Sequence, residues 1–125
     1  GKKIKCVRPP NEFDYKKFIH NTSICTSTML LKREILNKAK FTDTKICEDY
    51  FFKCELLKNC NAYCLDDYLT KYRIRRNSLQ SNSLKNFYWI WKINREFNKL
   101  NILENLISLT FISFNSLIKY GFKNL

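Results

Sequence analysis

Two adjacent carboxylates, Glu48 and Asp49, head the run Lys45-Ile46-Cys47-Glu48-Asp49-Tyr50-Phe51-Phe52-Lys53-Cys54-Glu55-Leu56-Leu57. A carboxylate kept ionised beside an apolar segment can act as a general base, taking the proton of a hydroxyl as that hydroxyl attacks. The same pair suits a plainer role, because free N–H groups and the positive dipole end favour acids in a helix's first turn by up to about 1 kcal/mol. Spacing alone leaves both readings open. Downstream, Tyr72-Arg73-Ile74-Arg75-Arg76-Asn77-Ser78 is a basic turn, and arginine's planar fork suits phosphate oxygens. A salt bridge from Arg73 to Asp66, Asp67 or the acidic pair is the alternative there. Cysteines at 6, 25, 47, 54, 60 and 64 include no CxxC, and the one histidine, His20, is remote from most of them. They read as reduced thiols serving as small hydrophobes, not as a zinc site or a disulfide framework.

The elements that would position these groups follow from periodicity. Phe51, Cys54 and Leu57 fall three apart, with Phe52 and Leu56 on a neighbouring stripe, so a partly buried helix begins near Glu48. Ile4 to Val7 is a short strand candidate ended by Arg8-Pro9-Pro10, and Glu12 to His20 a brief amphipathic helix. Ile24 to Leu31 is small, β-branched and uncharged, which predicts a central buried strand. Lys32 to Lys38 makes a short helix, and Ala62 to Leu65 and Tyr68 to Ile74 make two more strands around Asp66-Asp67. From Ser83, a credible N-cap, the pattern is helical. Leu84, Phe87, Tyr88, Trp91 and Arg95 mark one face of a first helix, and Asn101 with Glu104 forms a capping-box start for a second. Gly121 is its expected stop.

The chain has 125 residues, 45% hydrophobic and 15% aromatic, enough for one core and too few for two ordinary domains. Its net charge of +12 implies anionic partners: nucleic acid, an anionic membrane surface or phosphorylated small molecules. The Lys, Asn and Ile excess also fits an AT-rich genome, which weakens charge as functional evidence. No apolar export signal opens the chain. Asn105 to Ile118 lacks charge but is too polar and short for a membrane span; it reads as a packed C-terminal helix or an interfacial one, with packing favoured.

Taken together, Ile24-Cys25-Thr26-Ser27-Thr28-Met29-Leu30-Leu31-Lys32-Arg33, Phe41, Glu48-Asp49-Tyr50, Asp67-Tyr68-Leu69 and Tyr72-Arg73 resemble the C-terminal half of a glycosyltransferase family 2 enzyme. Order and spacing carry the resemblance, which runs from about Ile4 to Ser81 and more loosely beyond. It implies an α/β fold, the C-terminal portion of a GT-A sandwich: a short mixed sheet with flanking helices and a C-terminal helical pair. The implied organisation is an acceptor-side part of the catalytic domain over residues 1–82 and a helical extension over 83–125. The implied reaction is inverting transfer of a sugar from a nucleotide-diphosphate donor to a glycan or lipid-linked acceptor, in bacterial polysaccharide or glycan synthesis. Asp49 matches the catalytic base and Glu48 its neighbour; Arg73, and less directly Arg76, would face the diphosphate, and Thr26 and Thr28 the acceptor side, with packing within the strand as the alternative for the threonines.

The sequence departs from that family at its front. No nucleotide-binding βαβ unit and no Asp-x-Asp motif is present, so the Mg²⁺ or Mn²⁺ expected in the intact enzyme would be held by a motif missing here. Asp66-Asp67 is adjacent, not spaced, and no metal is assigned to this chain. With Gly1 in place of an initiator Met, the expectation is a fragment of a cytoplasmic enzyme, inactive alone, with peripheral contact to the cytoplasmic membrane face. A small nucleic-acid-binding module is the rival from another class, using Tyr72 to Arg76 with Tyr88, Trp89 and Trp91; against it, those aromatics fall at helical spacing and suit a core. A membrane-surface module is the third.

Overall fold

Asp14 begins the first helix, its Oδ1 accepting the Lys17 amide at 2.7 Å. The computed structural model describes residues 6–37, 39–41, 43–44, 46–71 and 82–120, which leaves Arg73, Arg76 and Gly121 outside the described residues. In chain order the elements are β1 (Glu12–Phe13), α1 (Tyr15–His20), a 3-10 turn (Thr26–Thr28), α2 (Arg33–Leu36), α3 (Glu48–Leu57), β2 (Ala62–Tyr63), α4 (Ser83–Glu96) and α5 (Ile102–Tyr120). The strands pair antiparallel, Glu12 opposite Tyr63 and Phe13 opposite Ala62. The expected mixed sheet is thus corrected, among the described residues, to a two-stranded antiparallel one within a helix-rich fold.

Helix α3 is the centre. Its two apolar stripes serve two clusters: Phe51, Cys54 and Leu57 join Phe13, Phe18, Ile19, Ile90, Ile93 and Ile112 in the main core, while Phe52 and Leu56 pack with Ala39, Met29, Leu31 and Ile35. Apolar surface removed from water on both sides explains why a ten-residue helix too short to persist alone is held here. Phe18 also stacks on Tyr50 at 5.6 Å between ring centroids.

The predicted central strand does not form. Cys25 (φ −81°, ψ 127°) and Met29 (φ −80°, ψ 136°) are extended as β-branched neighbours favour, but the Thr26–Thr28 turn lies between them. A strand also needs a neighbour to take its N–H and C=O groups, and none stands beside Ile24 to Leu31 among the described residues; Leu30 is 97% exposed. Cys6 and Val7 are likewise not in a strand, nor are Tyr68 to Lys71, where the second predicted strand begins.

At α4 the cap is Asn82 rather than Ser83, its Oδ1 accepting the Lys85 amide at 3.1 Å. The buried face also differs from the expected one: Ile90, Ile93 and Asn94 point inward, while Leu84 and Tyr88 are exposed. The capping box of α5 forms as expected, with the Glu104 amide donating to Asn101 Oδ1 and the Asn101 amide to Glu104 Oε2, both at 2.8 Å. Helix α5 then packs on α1 and α4 through Ile112 and a set of polar side chains. Asn94 Nδ2 donates to Asn105 Oδ1 (3.0 Å) and Ser108 Oγ (3.2 Å), Asn105 Nδ2 to the Trp91 carbonyl (3.1 Å), and Ser108 Oγ to the Ile19 carbonyl (2.5 Å). Tyr50 Oη donates to Asn94 Oδ1 at 2.8 Å and so ties α3 into the same network. Each buried polar group here has a partner, the condition under which such a group is tolerated.

Candidate active site

The two acids divide at the start of α3. Its cap, Cys47, is left-handed (φ 64°, ψ 27°) and supplies no side-chain acceptor, so carboxylates in the first turn are what complements the free N–H groups. Glu48 is exposed, and its side chain makes no hydrogen bond or ion pair among the described residues. Asp49 turns toward the protein. Its Oδ2 accepts from Lys53 Nζ at 2.9 Å and from Thr26 Oγ1 at 3.1 Å, while its side chain keeps 35% exposure against 6% for Lys53. Oδ1 has no side-chain donor among the described residues.

Burial pushes the Asp49 carboxyl up, but the Lys53 charge and hydrogen bond, helped by Thr26 and the Tyr50 backbone, outweigh it and hold Asp49 below the usual carboxylate range. The next sulfur along shows the opposite balance: burial, with the Asp49 charge adding to it, pushes the Cys47 thiol up to about 11. That site therefore holds an ionised oxygen acid beside a neutral thiol, the distribution a proton acceptor at neutral pH requires.

Of the residues named from the sequence, Asp49 and Glu48 are adjacent but face different surroundings. Thr28 donates its hydroxyl to the Cys25 carbonyl at 2.9 Å, and it is Thr26 that reaches the acid. Arg73 and Arg76 lie outside the described residues. Asp66, a candidate partner for Arg73, pairs with Arg8 at 3.1 Å. His20 lies against Phe111, ring centroids 5.3 Å apart. Lys53 is the residue that reading the sequence missed, although its position four after Asp49 on a helix is itself a pairing signal. The buried partners of Tyr50 carry no such signal, since Asn94 is 44 residues away. A shallow concavity lined by Asp14, Tyr15, Lys16, Leu57 and Lys58 sits at the other end of α3 and takes no part in this arrangement.

An ionised acid at a helix start, oriented through one oxygen and open through its surroundings, is common to many enzymes; sequence similarity narrows the field. An uncharacterised glycosyltransferase of Haemophilus influenzae is 27% identical over 122 residues, covering 96% of this chain and 48% of that protein. The teichuronic acid biosynthesis glycosyltransferase TuaG of Bacillus subtilis is 27% identical over 101 residues, 80% of this chain and 40% of its own length. The chain is similar to bacterial glycosyltransferases. A third relative, the UDP-Glc:alpha-D-GlcNAc-diphosphoundecaprenol beta-1,3-glucosyltransferase WfgD of Escherichia coli, is 30% identical over 95 residues, 70% of this chain and 35% of that enzyme. The chain therefore spans less than half the length of each of these curated relatives. No family model and no solved structure matches it.

Proposed function

We propose that this chain is the acceptor-side, C-terminal portion of an inverting glycosyltransferase of family 2 and GT-A type. The observation that carries the reading is the state of Asp49, ionised, partly exposed and gripped at one oxygen, in a chain similar to named glycosyltransferases over most of its length. In the reaction, an acceptor hydroxyl oxygen attacks the anomeric carbon as its proton passes to the Asp49 carboxylate. The new C–O bond forms on one face while the bond to the nucleotide diphosphate breaks on the other, and the diphosphate leaves with the electron pair. A positioned base contributes about 10² to 10⁴-fold. Lys53 and Thr26 keep Asp49 deprotonated and aimed, and Glu48 supports the helix start through its charge alone. Arg73 and Arg76 would face the diphosphate, and Thr28 the acceptor side.

The unpaired, extended stretch around Leu30 favours a GT-A sheet completed by strands outside these 125 residues, where the nucleotide-sugar would bind. Mg²⁺ or Mn²⁺ belongs to that part as well. Among the described residues no three His, Cys, Asp or Glu side chains gather as a metal would need, and Asp66 is taken by Arg8. A cytoplasmic enzyme with a glycan or lipid-linked acceptor in surface-polysaccharide synthesis fits the E. coli relative, named for a diphosphoundecaprenol-linked one.

The test is Asp49→Asn in the intact, active enzyme, with donor binding measured in parallel. Transfer falls by about 10² to 10⁴-fold while donor affinity is kept. Because the substitution strands buried Lys53 beside a neutral amide, the double variant Asp49→Asn/Lys53→Met is the control for folding; it regains stability and stays inactive. Full activity in either variant removes Asp49 from the chemistry. Calorimetry of residues 1–125 with UDP and Mg²⁺ should show no binding, and metal-dependent micromolar affinity would refute the division into donor and acceptor parts.

A further inference from the structure

Helix α5 buries Ile112 in the main core, yet it mixes polar groups into that inward face and leaves a second apolar stripe outside, unlike an ordinary surface helix. Its inward face holds Asn105 and Ser108, both fully buried, and Asn115, whose Nδ2 donates to the His20 carbonyl at 3.1 Å. Its outward face carries Leu103, Leu106, Ile107, Phe111 and Phe114, each 41% to 67% exposed. These recur at three- and four-residue spacing, so they form one continuous stripe and not scattered surface residues. Rotating the helix to bury them would strip the Ile19 and His20 carbonyls of their side-chain donors and leave Asn94 unmatched. The polar network therefore holds the apolar stripe outward.

Charge selects what covers it. No charged residue lies between Glu104 and Lys119, and the helical pair from Ser83 to Tyr120 carries five basic side chains against two acidic ones, in a chain of net charge +12. A second copy would bring like charge to like, whereas anionic headgroups would neutralise it. Lys119, half-buried at the end of α5, has an alkyl stem suited to lying along apolar surface with its amine at a headgroup level. No described helix is long and apolar enough to cross a membrane. We infer that the outward face of α5 docks flat on an anionic phospholipid bilayer, with Leu103, Ile107 and Phe114 entering the headgroup–acyl boundary and the net positive charge of the chain drawing it to the phosphates.

The inference rests on the surface of α5 and not on the transfer chemistry, so vesicle binding and activity can fail independently. The test is flotation of the 125-residue protein with vesicles of phosphatidylcholine, alone or with about one-third phosphatidylglycerol. Binding is expected only to the anionic vesicles, weakened by salt, and lowered at least about tenfold by Leu103→Gln/Phe114→Gln. Both positions are exposed, so circular dichroism of that variant should match the parent protein. Protein that stays soluble with both vesicle types, binds uncharged vesicles equally, or binds as well after the double substitution overturns the inference. So does sedimentation that shows a second copy occupying this face in place of lipid.

Discussion

Helices α3 and α5 solve the same packing problem in opposite ways. In α3, apolar stripes turn inward, and toward its start Asp49 and the buried Lys53 neutralise each other. In α5, Asn105, Ser108 and Asn115 turn inward beside the buried Ile112, and a second apolar stripe faces out. The first gains from removing apolar surface from water, which is non-directional and tolerant of repacking. The second depends on directional bonds, each worth only about 1 kcal/mol net but costly to leave half-made. An α3-type interface should therefore tolerate changes of shape, and an α5-type interface should tolerate changes of volume better than changes of hydrogen bonding.

The largest stability effect is expected at the network's hub. Asn94→Ala removes the partner of Tyr50 Oη, Asn105 Oδ1 and the Asn98 amide, and should cost about 3 kcal/mol or more in chemical denaturation. A loss below about 1 kcal/mol would mean water replaces Asn94 readily. Next comes Asp49→Ala, about 2 to 4 kcal/mol, because Lys53 is left buried without its counter-charge. Lys53→Met should cost far less, since Asp49 is partly exposed and can hydrate. If the two single variants are equally destabilised, the asymmetry of burial at this pair has no energetic meaning.

The acid and alkaline limbs of stability extend the same contrast. Asp49 has a folded pKa below its unfolded one, so its contribution is complete above the ordinary carboxylate range and is lost as pH falls through the lowered value. Lys53→Met should reduce that acid-limb loss in denaturation curves taken as pH is lowered. Cys54 behaves oppositely: burial pushes its thiol up to about 11 from an ordinary value of 9.0. Its contribution is intact below pH 9.0 and is lost as pH rises toward about 11, and Cys54→Ala should flatten that limb. The smallest effect belongs to the Lys58–Glu55 pair at 2.6 Å, about a third exposed on both sides; Glu55→Gln should change stability by less than about 0.5 kcal/mol.

Much of α3 was legible in the sequence because its signals are local. Acids in the first turn, the three-residue recurrence of Phe51, Cys54 and Leu57, and the second stripe of Phe52 and Leu56 all lie within ten positions. The capping box of Asn101 and Glu104 was legible for the same reason. The stretch from Ile24 to Leu31 misled because its residues favour an extended backbone, while a strand is defined by a neighbour that composition cannot supply. On α4, Leu84 and Tyr88 looked inward by type, yet Asn94 took that place because it had hydrogen-bond partners on α3 and α5.

The sequence by itself determined where the main helices begin, the pairing of acids at the head of α3 and the similarity to glycosyltransferases. Tertiary structure alone decided that Asp49 meets Thr26, that Lys53 is buried against it, and that α5 shows a second apolar stripe to the outside. The physical reason is range. Periodicity and capping act over a turn or two of helix, whereas Ser108 reaches the Ile19 carbonyl across 89 residues and Tyr50 reaches Asn94 across 44; contacts of that span become visible only once the chain has closed on itself.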